Sequence, residues 1–253
     1  MKECGCKGIR DCLLCNNEKV FDLKHVEEYV YCYECNFASL KDKKHTCQEG
    51  IHIEGISHYD DFIDNTEENS VIENIDKAEW MPSQSGRMKQ DFGPKVNFKK
   101  KKIKIGNFQG LPEYVVPIVK KFQIIGELSG FVPIEMCNLE YVPNRGSEIV
   151  PHFDDNWIWG ERLVTLNLLS DTNLVFSHPE KPNLKVIAKM KRRGLLIVQK
   201  EARYSWLHEV RCRDIKSRRV AITFREANFN LKDQDESEII KNLIKISELS
   251  IKK

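Results

Sequence analysis

The stretch that decides the fold reads YVPNRGSEIVPHFDDNW (141–157), ERLVTLNLL (161–169), GLLIVQKEARYSWLHEV (194–210) and RRVAITFRE (218–226). Its apolar runs are short, rich in Val, Ile, Leu and Thr, and broken by Asn, Gly and Pro, which is the signature of strands joined by turns. EMCNLEYVP (135–143), NLVFSH (173–178) and LKVIAKM (184–190) repeat the pattern nearby. No helix-length segment comes between these runs. They therefore predict antiparallel or mixed sheets packed as a sandwich or jelly roll, and exclude an alternating βα fold.

An ordered set of polar residues lies on those strands. In PHFDDNW, strand alternation puts His152 and Asp154 on one side and Phe153 on the other. Taken alone, the pair reads equally well as a satisfied histidine beside a solvent-facing carboxylate. His208, from a later strand, supplies a second imidazole. Two imidazoles and one carboxylate leave three positions of an octahedral ion open, which suits Fe(II) with a bidentate cosubstrate and O2. Zn(II) fits the same three residues, so ligand identity alone leaves the metal open. Arg219 and Arg225 bracket VAITF at even separation, so both point to one face. A buried guanidinium pair without carboxylate partners is costly, and a dicarboxylate cosubstrate would compensate it.

Toward the N-terminus, IHIEGISHYDDFID (51–64) opens the main domain with a short edge strand. DDFIDNTEENSVIENIDKAEW (60–80) follows as a helix capped by Asp64 or Asn65, with Val71, Ile72 and Ile75 as its apolar stripe. WMPSQSGRMKQDFGPKVNF (80–98) has no sustained period and reads as a long functional loop. It ends in KKKKIK (99–104), a basic patch or a lysine-guarded edge. LPEYVVPIVKKFQII (111–125) is a second helix, with Pro112 in its first turn and Pro117 positioned to kink or divide it. A C-terminal amphipathic helix carries Ile239, Ile240, Leu243, Ile244 and Ile246 toward the sheet.

The 253 residues, 41% hydrophobic and 31% charged, are those of an ordinary globular protein. A net charge of +2 does not by itself imply a nucleic-acid partner. No apolar run approaches membrane-spanning length, and MKECGCKGIRD lacks the core of a secretory signal. Seven of the nine cysteines fall at or before Cys47. That clustering favours thiolates held by metal in a reducing compartment over a disulfide framework. Cys4, Cys6, Cys12 and Cys15 form C-x-C-x5-C-x2-C, a spacing that reaches tetrahedral zinc. Cys32 and Cys35 could complete a second zinc site with His45 and Cys47, share the first site, or stand as free thiols. The reading divides the chain into a cysteine-rich segment, 1–48, and a main domain, 49–253.

With these blocks in view, the chain resembles the AlkB-type Fe(II)/2-oxoglutarate-dependent dioxygenases, whose pattern is H-x-D, a distant H, and R-x5-R. Within them it is similar to the alkB homologue four branch, through CGCKGIRDCLLC (4–15), SQSGRMKQDFGPKVNF (83–98), PHFDDNWIWGERLVTLNLL (151–169), ARYSWLH (202–208) and RRVAITFRE (218–226). The resemblance implies an α+β fold, a double-stranded β-helix (jelly-roll) core with flanking helices. It implies His152, Asp154 and His208 as iron ligands, and Arg219 and Arg225 on the two ends of 2-oxoglutarate. Tyr141 and Asn138 correspond to a cosubstrate-binding Tyr and Asn, although two residues separate them here where the family has one. Arg87, Lys89, Asp91, Phe92 and Lys95 fall in the part that covers the substrate opening. The implied reaction is oxidative N-demethylation with O2 as cosubstrate, giving succinate, CO2 and formaldehyde. Its target would be methyl-lysine in an actin-like protein and/or N6-methyladenine in DNA. A monomeric enzyme of cytoplasm and nucleus, without membrane attachment, is expected. A non-catalytic metal-binding adaptor of the same fold and a zinc-bearing nucleic-acid module are the competing readings.

Overall fold

Alternation along RVAITFR fixes how the layers stack. In the computed structural model, which describes residues 5–6, 12–15, 26–229 and 234–252, strand Arg219–Ala227 lies between Pro133–Tyr141 and Trp159–Leu168, antiparallel to both. Val220, Ile222 and Phe224 point to one side. There they join Val164, Leu166, Leu195 and Ile197 in a core shared with helix Asn65–Asp76 and the helical segment at 113–124. Ala221, Leu163, Leu196 and Val198 point to the other side, against Phe176, Val186, Ala188 and Val210 of a second sheet. The central sheet is thus buried on both faces, which explains why LLIV is apolar at every position.

Each of the two packed sheets has seven strands among the described residues. The central one runs Ile56–Tyr59, Leu195–Val198, Trp159–Leu168, Arg219–Ala227, Pro133–Tyr141, Met88–Phe92, Met81–Pro82. The second runs Ile149–His152, Leu207–Val210, Thr172–His178, Lys181–Met190, Glu27–Tyr31, Phe37–Leu40, Ile51–His52. Together they form the expected jelly roll, with every strand foreseen from residue 135 onward in place. Helix Asn65–Asp76 begins as the sequence indicates. Asp64 accepts the Glu67 amide, and the Glu67 carboxylate accepts the Asp64 amide. Pro117 divides the second helix, leaving a 3-10 turn at Glu113–Val115 before helix Val116–Lys121. The C-terminal helix Gln234–Lys252 packs Ile240 and Leu243 on Ile134 and Trp159. No helix of the described residues is long and apolar enough to cross a membrane.

Two expectations change. The stretch 80–98 is not a loop throughout, because Met88–Phe92 pairs along Pro133–Tyr141 as a strand of the central sheet. Its polar look conceals this, since buried Gln90 donates to the Ile75 and Ala78 carbonyls and so needs no water. Nor is residue 48 a structural divide. Glu27–Tyr31 pairs in parallel with Lys181–Met190, and Tyr31 and Ala38 are buried in the core between the sheets. A parallel partner about 150 residues away leaves no local trace in sequence.

Phe224 anchors the layer behind the arginine-bearing strand. It is fully buried and meets Phe122 edge-on at 5.3 Å. Phe224→Ala is expected to lower unfolding free energy in urea by about 3–5 kcal/mol, and a loss below about 1 kcal/mol would contradict this packing.

Candidate active site

Strand pairing brings the three distant residues together. His152, at the end of Ile149–His152, stands directly opposite His208 of Leu207–Val210, so the two imidazoles form a cross-strand pair. Their ring centroids are 4.3 Å apart. Asp154 follows His152 just past the strand, its Oδ2 3.6 Å from His208 Nε2. One ligand atom from each of His152, Asp154 and His208 lies within 4.8 Å of the others. Phe153 points to solvent, as alternation requires. The Val150 carbonyl lies 2.9 Å from His152 Nδ1 and can only accept. That bond places the ring proton on Nδ1 and leaves the Nε2 lone pair for a metal.

Burial would raise the Asp154 pKa, but Arg225, His208, His152 and Arg203 outweigh it and hold the carboxyl well below its usual range. Burial, with help from His152 and the nearby arginines, pushes His208 down to about 3 against the pull of Asp154. Near neutral pH the group is therefore two neutral imidazoles and one carboxylate, the protonation state that metal binding needs. The nitrogen and oxygen donors and their mutual reach fit a facially bound divalent ion such as Fe(II).

The two arginines differ. Arg219 is buried, donates from Nε to Asn167 Oδ1 at 2.6 Å, and lies 4.7 Å over the Tyr141 ring. Among the described residues its buried Nη1 has no hydrogen-bond partner, and burial lowers the Arg219 pKa. Among the described residues this guanidinium has no carboxylate partner, as the sequence leads one to expect. Arg225 instead binds two carboxylates, Glu135 at 2.9 Å and Asp154 Oδ1 at 2.9 Å. The expectation that both arginines lack acidic partners thus holds for Arg219 alone. Arg225 orients the proposed metal-binding carboxylate, and among the described residues its buried Nε has no partner.

A cavity of about 70 Å³ joins these groups. His152, Asp154 and His208 line it together with Tyr141, Arg219 and Arg225. Between the two arginines the strand's cavity face carries Ala221 and Thr223, small side chains that leave room there, while Phe224 also borders the space. Asn138 does not reach it. Leu139 and Tyr141 face the cavity, so Asn138, one residue off that alternation, faces the helices and donates to Gln90 at 2.8 Å and to Tyr114 at 2.7 Å. The extra residue in CNLEY changes which face the asparagine occupies.

The candidates over the opening also separate. Lys89 and Asp91 pair with each other on the face shared with Leu139 and Cys137. Phe92 turns to the helix-side core, and Lys95 begins an exposed two-stranded hairpin with Lys102–Lys104. Arg87 is buried, with Nε donating to the Gln84 carbonyl, and its charge acts on His152. The cations at 191–193 are engaged by Asp60, Glu68 and Asp61. Cys6, Cys12 and Cys15 converge, with 3.8 Å between Cys12 and Cys15 Sγ, while Cys4 lies outside the described residues. Their segment docks on the cavity's flank: Gly5 donates to the Ser83 carbonyl, the Ser85 amide to Cys6 Sγ, and Leu13 to the Arg145 carbonyl. Sequence reasoning missed Arg203, whose Nη1 donates to the Asp154 carbonyl, and Asn167 and Glu135, which hold the arginines. Their only signal was a polar residue within an otherwise apolar strand or helix face.

No protein-family model matches the chain. It is 38% identical over 262 residues to the alpha-ketoglutarate-dependent dioxygenase alkB homolog 4 of Mus musculus, covering 89% of this chain and 87% of that one. It is 38% identical over 252 residues to a DNA N6-methyl adenine demethylase of Caenorhabditis elegans, covering 88% and 86%. Among solved structures it superposes on a 2OG-Fe(II) oxygenase family oxidoreductase from Burkholderia pseudomallei with a TM-score of 0.51. That match has 14% identity and covers 68% of this chain and 84% of the other. At that identity it shows the shared fold.

Asn138→Ala is expected to cost about 1–3 kcal/mol in denaturant unfolding, through the buried partners it abandons. Divalent-metal affinity should be unchanged. Asp154→Ala should abolish metal binding in an equilibrium titration; the reverse pattern would overturn the assignment of faces.

Proposed function

We propose that this chain, which belongs to the AlkB-type Fe(II)/2-oxoglutarate-dependent dioxygenases of the alkB homolog 4 group, removes N-methyl groups from methyl-lysine in an actin-like protein and/or from N6-methyladenine in DNA. The observation that carries the cosubstrate reading is a cavity with a His-Asp-His group and, lining the same space, a buried guanidinium that has no acidic partner among the described residues. A dicarboxylate would satisfy that guanidinium with one end and leave the other for the His-Asp-His end of the cavity.

His152, Asp154 and His208 would hold Fe(II), which when bound supplies the oxidising chemistry with 2-oxoglutarate and O2. The chain's own contribution is placement. Arg219 receives the distal carboxylate of the cosubstrate, and Asn167 holds Arg219 from behind at 2.6 Å. Tyr141, fixed by the overlying guanidinium, lines the same end of the cavity. Arg225, braced by Glu135, keeps Asp154 ionised and aimed at the ion. Leu163, Leu174, Leu196 and Val210 surround the cavity with apolar surface that limits water around the reacting methyl group.

For the methylated target, the C. elegans relative supports a DNA substrate by its name. The paired state of rim cations, Lys89 with Asp91 and Arg145 with Glu140, supports a protein or mixed substrate. A phosphate track would want those charges available. Lys89 and Asp91 are the rim residues assigned to the substrate, and Arg87 supports the wall beside His152. Structural zinc on Cys6, Cys12 and Cys15, with Cys4, belongs to the same proposal. So do a location in cytoplasm and nucleus and a monomeric state.

Formaldehyde and succinate release should be compared for a methyl-lysine actin peptide and N6-methyladenine DNA under identical Fe(II) and 2-oxoglutarate. At least one should give stoichiometric products, and Arg219→Ala should raise the KM for 2-oxoglutarate by about 100-fold or more, the order of a lost charge-assisted pair. Ala221→Leu should also raise that KM, by filling the cavity, while leaving metal content intact. Failure of both substrates, together with no 2-oxoglutarate turnover, would contradict the proposal.

A further inference from the structure

The hairpin at the edge of the second sheet farthest from His152 holds a second set of metal-ligand side chains that the demethylase reading does not use. Strand Glu27–Tyr31 turns through Cys32, Tyr33, Glu34, Cys35 and Asn36 into Phe37–Leu40. The turn is closed by Cys32 N–H to the Phe37 carbonyl at 2.9 Å and Asn36 N–H to the Cys32 carbonyl at 3.0 Å. Asn36 has φ +63, a left-handed conformation that asparagine tolerates better than most residues. This tight turn brings Cys32 and Cys35 to one side. The chain then doubles back through 41–50 and delivers His45 and Cys47 to the same place.

The distances match a tetrahedral ion. With Zn–S about 2.3 Å and Zn–N about 2.0 Å, sulfur and nitrogen ligands stand about 3.5 Å apart. Cys35 Sγ lies 3.3 Å from His45 Nε2, and Cys47 Sγ lies 3.5 Å from the same nitrogen. Cys32, Cys35 and His45 place their ligand atoms within 4.8 Å of one another. The other ring nitrogen, His45 Nδ1, is 2.8 Å from Ser39 Oγ. A hydroxyl there accepts the ring N–H and leaves Nε2 free to bind metal, the outer bond typical of a metal-bound histidine. The loop's start is tied to the hairpin by the Lys41 amide on the Glu28 carbonyl and by the Lys41–Glu28 ion pair, and its end by the pairing of Ile51–His52 with Phe37–Ala38. All ten residues from 41 to 50 are exposed, so apolar burial does not account for His45 and Cys47 standing beside the turn.

We propose that Cys32, Cys35, His45 and Cys47 form a Cys3His zinc site, separate from the cluster of Cys6, Cys12 and Cys15. The two groups occupy different parts of the fold. The first docks on Ser83, Ser85 and Arg145, whereas the second staples the outermost strands of the opposite sheet. With four protein ligands the site is closed, so its role is structural. Zinc fastens the 41–50 segment to the hairpin and finishes a sheet edge that would otherwise be exposed. His152 sits on the strand at the other edge of that sheet, so the site holds the scaffold and takes no part in the oxidation.

The test uses the full chain purified without chelator, alkylated at its exposed thiols and read residue by residue by peptide mass. Cys32, Cys35 and Cys47 should react about tenfold or more slowly before addition of a zinc chelator than after it, because metal-bound thiolates are withheld from the reagent. Zinc content should fall by one equivalent per chain in Cys35→Ser/Cys47→Ser, and the same loss should appear in a Cys12→Ser/Cys15→Ser background. His45→Cys should keep the equivalent, since four thiolates also bind zinc. Full-rate alkylation before chelation, protection relieved by a reductant and not by a chelator, or unchanged zinc in Cys35→Ser/Cys47→Ser would each overturn the proposal. None of these readouts depends on turnover, so they stand apart from the demethylase reading.

Discussion

A buried carboxylate that must stay charged organises this molecule. Asp154 loses hydration on burial, a penalty of several kcal/mol that only close cations and hydrogen bonds offset. Arg225 supplies the closest cation, braced from behind by Glu135, and Arg203 holds the Asp154 carbonyl. Because Arg225 sits at one end of the strand that carries Arg219, the strand that keeps Asp154 ionised also sets the far wall of the cavity. The six-residue interval spans about 20 Å of extended chain. One strand therefore couples the ion-binding end of the site to the end that receives a dicarboxylate.

The same strand explains why the fold and the site come together. Its even face carries Val220, Ile222 and Phe224 into the helical layer, and its odd face carries Arg219, Ala221, Thr223 and Arg225 to the cavity. Moving the register by one residue would bury the arginines in an aromatic core and empty the site. Packing behind the strand and chemistry in front of it thus enforce one another. The cysteine segment adds a third support, since it rests on the Ser83–Ser85 backbone and on Arg145, beside the cavity wall.

Much of this was legible because it is periodic or because residue types are chemically restrictive. Alternation placed the strands after residue 135, Asp64 or Asn65 marked a helix start, and H-x-D with a distant His pointed to one metal centre. What escaped depends on pairing across the chain. Nothing local in EEYVY signals a parallel neighbour at Leu184–Ile187, and MKQDF looks like a loop until Gln90 finds the carbonyls of Ile75 and Ala78. Asn138 shows the sharpest limit. Its residue type suits a cosubstrate ligand, but one extra residue before Tyr141 turns it to the opposite face, where Gln90 and Tyr114 bind it. Likewise, even spacing put Arg219 and Arg225 on one face, but only the fold shows that Glu135 and Asp154 already occupy the second.

The central claim is that Arg219 binds the distal end of 2-oxoglutarate while the His-Asp-His group binds the ion. Calorimetric titration of 2-oxoglutarate into Mn(II)-loaded protein without O2 tests it without reference to any methylated substrate. The account predicts one binding event per chain, lost in Arg219→Ala and kept in Asn138→Ala. Equal affinity in wild type and Arg219→Ala would contradict it.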